Sequence, residues 1–211
     1  MLLTPRHLDI QICFDYEGLP LQIKDHVFME RFGSDNTEGI RFDNVLMYVR
    51  FTNVTVVRSG RKAASSNSLG RQDMEFFMQW LYSKGVRRIL KLEVDDSRKS
   101  AHSDESIQKS LEKIVVEHLD WQKVDLDPRT ICQISNKVEM KIPTKDEPNR
   151  MELSPGNQLK ELTLRWSGRN AVLRAWSEPE GLPLLAELKT VNLHIPPPTD
   201  VSWPNTSKYF L

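Results

Sequence analysis

Hydrophobic and polar positions alternate most tellingly over residues 158–195. This stretch holds one short phrase twice, Leu159-x-x-Leu162-x-Leu164 and Leu188-x-x-Val191-x-Leu193, at a constant offset of 29 residues. Each copy predicts a short strand with one apolar edge, and the segment between them has room to turn back as a short helix. A strand, a return element and a second strand stacked on the first is the grammar of a leucine-rich repeat. The two copies predict an α/β fold, a short irregular leucine-rich-repeat-like solenoid. The alternative is a single-sheet α/β sandwich.

Upstream, residues 8–14 alternate strictly and place Leu8, Ile10, Ile12 and Phe14 on one side of a half-buried strand. Residues 21–32 read as a short helix or packed loop, and residues 42–49 as one or two helical turns. Phe51, Val54 and Val56 predict a second strand. Residues 59–70 read as a mobile loop, with local basic charge at Arg58, Arg61 and Lys62. The clearest helix covers residues 71–84. There Met74, Phe77, Met78 and Leu81 fall on one face, and Gly85 stands where a left-handed residue ends a helix. Leu90, Leu92 and Val94 predict a third strand, with Lys91 and Glu93 pointing the other way.

Ser103 is a candidate N-cap for a helix whose face carries Ile107, Leu111, Ile114, Val115 and Leu119. Residues 131–134 read as a fourth strand, and residues 141–157, with three prolines, as an exposed insertion. Ser177-Glu178-Pro179-Glu180 reads as a capping box for a short helix reaching Leu188. The triple proline at 196–198 closes regular structure. One repeat-like domain over 1–198 and a flexible tail over 199–211 follow. Taking Phe51, Ile89, Leu159 and Leu188 as equivalent, the units are of unequal length.

Composition narrows the function classes. The 211 residues hold 29 Lys+Arg against 29 Asp+Glu, so the basic excess of a nucleic-acid binder is missing. A 39% hydrophobic and 27% charged content is that of a globular chain. No apolar run is long enough to cross a bilayer, and the N-terminal residues lack a signal-peptide core. Cys13 and Cys132 stand alone, with no CxxC, and read as two buried thiols in a reducing compartment, with a single disulfide as the alternative. An intracellular, cytoplasmic setting is the expectation, and the glycosylation sequons at Asn53 and Asn205 carry little weight there.

Catalytic motifs are missing: no phosphate-binding glycine loop, no GxSxG, no HExxH, no Cys/His metal spacing. No cofactor and no metal is expected. Asp95-Asp96 and Asp125-x-Asp127 fall short of a calcium loop. His102 with Asp104, and His118 with Asp120, are the acid/base pairs a hydrolase would use. The helix dipole explains His118, read as lying at a helix end. Strand parity gives a better candidate. Its outward positions are Asp9 and Gln11; Asn53 and Thr55; Lys91 and Glu93; Glu161, Thr163 and Arg165; and Thr190, Asn192 and His194. That surface is polar and of mixed charge, which suits a protein partner better than a membrane or DNA. Trp166 and Trp176, near Arg165, Arg169 and Arg174, are residue types common in interface hot spots, though a packed corner with stacked arginines accounts for them as well.

Three stretches carry a family resemblance. They are Arg-Gln-Asp-Met-Glu-Phe-Phe-Met-Gln-Trp-Leu-Tyr-Ser-Lys-Gly-Val-Arg-Arg-Ile at 71–89; His-Ser-Asp-Glu-Ser-Ile at 102–107, continuing to Val-Glu-His-Leu-Asp-Trp-Gln-Lys-Val-Asp-Leu-Asp-Pro at 116–128; and Leu-Arg-Trp-Ser-Gly-Arg-Asn-Ala-Val-Leu-Arg-Ala-Trp-Ser-Glu-Pro-Glu-Gly at 164–181. Together they make residues 8–198 resemble the non-catalytic region that precedes a subtilisin-like (S8) peptidase domain in large, uncharacterised fungal proteins. The resemblance implies an accessory role beside a peptidase. It transfers no catalytic residue, because the chain has neither Gly-Thr-Ser nor His-Gly. The expected function is a non-catalytic protein-interaction or regulatory module. The alternatives are a hydrolase built around His102 and Asp104, and a structural fragment of a larger protein.

Overall fold

The computed structural model describes residues 10–35, 37–58, 70–96, 99–134, 139–141, 151–153 and 157–195. In chain order the elements are β1 (Cys13–Asp15), β2 (Gln22–Lys24), α1 (Asp25–Phe32), β3 (Val45–Phe51), β4 (Thr55–Val57), α2 (Asp73–Ser83), β5 (Arg88–Val94), α3 (Asp104–Ser110), β6 (Val115–Val124), α4 (Pro128–Cys132), β7 (Glu139–Lys141), β8 (Met151–Leu153), β9 (Glu161–Arg165), α5 (Asn170–Ser177), a 3₁₀ turn (Leu182–Leu184) and β10 (Thr190–His194). The fold is mixed α/β. Its main sheet has six strands in the order β1-β3-β5-β6-β9-β10, so neighbours in space are also successive strands of the sheet along the chain. All five pairings are parallel. Two further small sheets are the parallel pair β2-β4 and the antiparallel pair β7-β8.

The register explains the sequence pattern. Phe14, Val49, Leu92, Leu119, Leu162 and Val191 are each paired with the next across the whole sheet. Two residues further on, Phe51, Val94 and Trp121 form a second line, and Leu164 pairs with Leu193. Three residues before, Leu46, Ile89 and Val116 form a third. The phrase found twice in the sequence therefore recurs as Leu46-x-x-Val49-x-Phe51, Ile89-x-x-Leu92-x-Val94 and Val116-x-x-Leu119-x-Trp121, every one of these residues buried. The lines join one core with Phe28, Phe77, Trp80, Leu81, Ile107, Ile131 and Trp176 from the helices. Burying these apolar lines is the main driving force for stacking the strands.

Several local expectations change. Residues 42–49 are not helical, since β3 fills most of them. The helix after Ser103 stops at Ser110, and Val115 and Leu119 lie on β6. Residues 131–134 end a short helix and are not a strand. The expected return helix after Glu178, short or partly 3₁₀, is reduced to the 3₁₀ turn Leu182–Leu184, and the α-helix of residues 170–177 precedes Glu178. Of the proposed 141–157 insertion, β8 and the last residue of β7 are described, paired antiparallel. The rest of 142–156 and the 199–211 tail lie outside the described residues. Cys13 and Cys132 are both free thiols, and Cys13 is exposed rather than buried.

The helix caps follow their residue types. Ser103 Oγ accepts the Ser106 N–H at 3.1 Å, and Asp127 Oδ1 accepts the Arg129 N–H at 2.8 Å ahead of Pro128. Gly85, at φ 89°, takes the left-handed turn after α2.

Candidate functional site

The residues opposite the core build an open polar face. Because side chains alternate along a strand, each rung sends two of them outward. One row runs Cys13, Tyr48, Lys91, His118, Glu161, Thr190, and the next runs Asp15, Arg50, Glu93, Asp120, Thr163, Asn192, each residue paired with its neighbour. Arg165 and His194 are paired one step further along. Lys91, Glu93, Glu161, Thr163, Arg165, Thr190, Asn192 and His194, singled out from the sequence, thus share one surface.

Other expected positions do not. Asn53 follows β3 outside the sheet, and Thr55 belongs to β4 in the small second sheet. Gln11 lies ahead of β1 and pairs with Phe42 as an isolated bridge, and Asp9 lies outside the described residues. Sequence reasoning missed Cys13, Asp15, Tyr48, Arg50, His118 and Asp120 as members of this face. The phrase Val116-x-x-Leu119-x-Trp121 was the available signal for the last two.

Charges on this face neutralise one another across strands. Arg50 reaches Glu17 at 2.8 Å and Asp95 at 3.6 Å. Glu93 accepts from the Tyr48 phenol at 2.8 Å and meets Lys91 at 2.7 Å. Arg165 holds Asp120 at 2.8 Å, and Glu117 is gripped by Arg88 at 2.5 Å and Lys160 at 2.6 Å. Glu161 accepts from Asn192 at 2.7 Å and lies 3.4 Å from His118. Burial alone would raise Glu93 and Glu117, but their cationic neighbours and hydrogen bonds hold both below the usual carboxylate range. Asp95 goes the other way. Burial raises it, Arg50 opposes, and the nearby Glu93 and Asp120 add to the rise. A face so compensated offers directional hydrogen bonds rather than a field of one sign.

His102 has a different setting from the one a hydrolase needs. It is 1% exposed. Its Nδ1 lies 3.0 Å from Asp96 Oδ1, its Nε2 4.0 Å from Asp73, and the Trp121 ring meets it edge-on at 5.5 Å. The Asp96 carboxylate also accepts the His102 backbone N–H, at 3.1 Å to Oδ2, so it holds the histidine through both ring and backbone. Asp104 turns away to Lys123 at 3.0 Å. The imidazole is thus a packed part of the core, out of reach of a substrate.

Burial would raise Asp96, but the imidazole, the His102 N–H and the Trp121 indole outweigh it and hold the carboxyl below its ordinary value. A depressed folded value adds stability that is present above the unfolded carboxylate value of about 3.9 and is lost as pH falls through the folded one. Acid unfolding of the Asp96→Asn protein is therefore expected to show a shallower loss of stability below about pH 4 than the parent. Denaturant titrations at stepped pH measure the difference.

Elsewhere, an open hollow of about 590 Å³ lies on the helix side, lined by Phe76, Gln79, Lys109 and Lys113 among others. Among the described residues no group of His, Cys, Asp and Glu could hold a metal ion, and no helix is long and apolar enough to cross a membrane.

Compared with family models, with curated proteins and with solved structures, the chain gives no significant match. The resemblance to the region ahead of a subtilisin-like peptidase thus stands on the three quoted stretches alone.

Proposed function

We propose that this chain is a non-catalytic protein-interaction module, a short irregular leucine-rich-repeat-like solenoid whose partner docks on the polar face of the six-stranded sheet. The observation that carries this is the unbroken pairing of outward residues from Cys13 to Thr190 and from Asp15 to Asn192. Repeat proteins that stack parallel rungs present such a surface for binding. The strand order also weighs against a small-molecule crevice. In open parallel sheets ligands settle where the strand order reverses, and here the order never does.

The role we favour for the module is accessory to a subtilisin-like peptidase, placing or restraining it. That part rests on the sequence resemblance. A hydrolase centred on His102 is the weaker reading, since that side chain is sealed from solvent.

A photo-crosslinking residue at Thr163 or Lys91 is expected to yield one discrete cross-linked partner, identifiable by mass spectrometry. The same residue at Gln79, on the helix side, is expected to yield none. Equal products from both sides would defeat the docking face, and a partner without a peptidase domain would defeat the accessory role while leaving the face intact.

A further inference from the structure

The two ends of the sheet are finished differently. At the β1 end the core-facing Phe14 and Tyr16 are 5% and 0% exposed, covered by rings from α1, β3 and α2. At the β10 end the matching side chains are bare. Val191 and Leu193 are each 45% exposed, although their register partners Leu162 and Leu164 are fully buried. Ile195 at 67% and Leu184 at 62% extend the same apolar margin.

The backbone is open there as well. Thr190 N–H donates to Lys160 O at 3.1 Å, and His194 O accepts from Trp166 N–H at 2.8 Å, so the even-numbered peptide groups face β9. Peptide groups alternate sides along a strand, so those of Val191 and Leu193 point out of the sheet. Among the described residues β10 is the last strand. Exposed edges are usually blunted by lysine, proline or an inward charge. Residues 190–195 contain no Lys, Arg, Asp or Glu.

We propose that this edge pairs with the same edge of a second copy of the chain. A two-fold axis at Asn192 sets Val191 of one copy opposite Leu193 of the other. Those two positions carry the outward peptide groups, so they form hydrogen-bonded pairs on both sides of the axis. Thr190 then faces His194, and Lys189 faces Ile195, so no charge meets its own copy. The bare aliphatic side chains close over one another as the inner lines do. Like meets like across a two-fold, which makes a neutral, self-complementary edge the suitable kind. A two-fold pairing uses the β10 edge of both copies at once, so this contact closes at two copies. One five-residue strand with its margin is small beside the usual ~800 Å² per partner, so the dimer dissociates reversibly on dilution.

Sedimentation velocity of the full chain over a wide concentration range tests this, together with hydrogen exchange at both extremes. The expected result is a shift from monomer to dimer. The Val191 and Leu193 amides should become protected only in the dimer, while those of Thr190 and Asn192 are protected throughout. Val191→Lys and Leu193→Lys, at half-exposed positions, should each remain monomeric with unchanged circular dichroism. The proposal is overturned by a monomer at all concentrations, or by a dimer that either lysine variant leaves intact. Protection of Val191 and Leu193 in the monomer overturns it too, because the edge would then be covered by the chain itself.

Discussion

Replacing Trp80 with alanine is expected to cost about 3–5 kcal/mol of stability, the largest effect of any single change in the core. Trp80 is 1% exposed. Its ring meets Phe28 at 4.8 Å, Phe14 at 5.2 Å and Phe42 at 5.5 Å, all edge-on, and its indole N–H donates to Gly33 O at 2.8 Å. Truncation opens a cavity among aromatic rings that cannot collapse readily, and it strands the Gly33 carbonyl. This cluster also covers the β1 end of the sheet, so the loss exposes the first rung. For a chain of this length the midpoint of thermal unfolding should fall by roughly 10 °C. Phe should recover part of the loss, since it refills volume but cannot donate to Gly33. A drop below about 1 kcal/mol for Trp80→Ala would mean the aromatic cluster is not packed as described.

The second large effect is expected at Asp73, in the first turn of α2. Its carboxylate accepts the Val56 N–H at 2.7 Å and the Arg71 Nε at 2.8 Å, and it lies 4.0 Å from His102. Arg71 and Asp73 are each only 11% exposed as side chains, and the Arg71 guanidinium also reaches Asn53 Oδ1 and Val54 O. Asp73→Ala leaves a nearly buried guanidinium without its counter-charge and the Val56 N–H without an acceptor. A loss of about 3–5 kcal/mol follows. Asp73→Asn should lose less, because the amide oxygen can still accept from Val56. The double variant Arg71→Met/Asp73→Leu should lie closer to the parent than Asp73→Ala, since removing both charges strands neither. Equilibrium denaturation of the three proteins ranks them. An Asp73→Ala protein as stable as the double variant would show that the pair is not electrostatically coupled.

How far the fold could be read in advance depended on whether a spacing has one meaning. Met74, Phe77, Met78 and Leu81 repeat over two full turns, and only a helix puts them on one side, so α2 was legible together with its Gly85 stop. The offset of 29 residues between Leu164 and Leu193 was legible too, and the two are register partners. Where three-residue spacing appears once, it is ambiguous. Leu46 and Val49 are both buried on one strand, yet the same interval is one helical step. Ile114, Val115 and Leu119 likewise continue the Ile107 and Leu111 face on paper. The chain instead ends α3 at Ser110, and Val116, Leu119 and Trp121 pack beside Ile89, Leu92 and Val94.

The candidate face inherits both outcomes. Its β5, β9 and β10 residues came from strand parity alone, whereas Tyr48, Arg50, His118 and Asp120 waited on the strands that local spacing disguised.

By itself the sequence determined the class of fold, the balanced charge, and the parity that separates core from surface on three strands. Those are properties of neighbours along the chain. Only the tertiary structure decided which stretch between 107 and 121 is helix and which is strand, that His102 is sealed between Asp96 and Trp121, and that β10 is left bare. Each of those outcomes turns on contacts between residues distant in sequence, where the free energy of burying one strand beside another outweighs the weaker preference of a short segment for its own conformation.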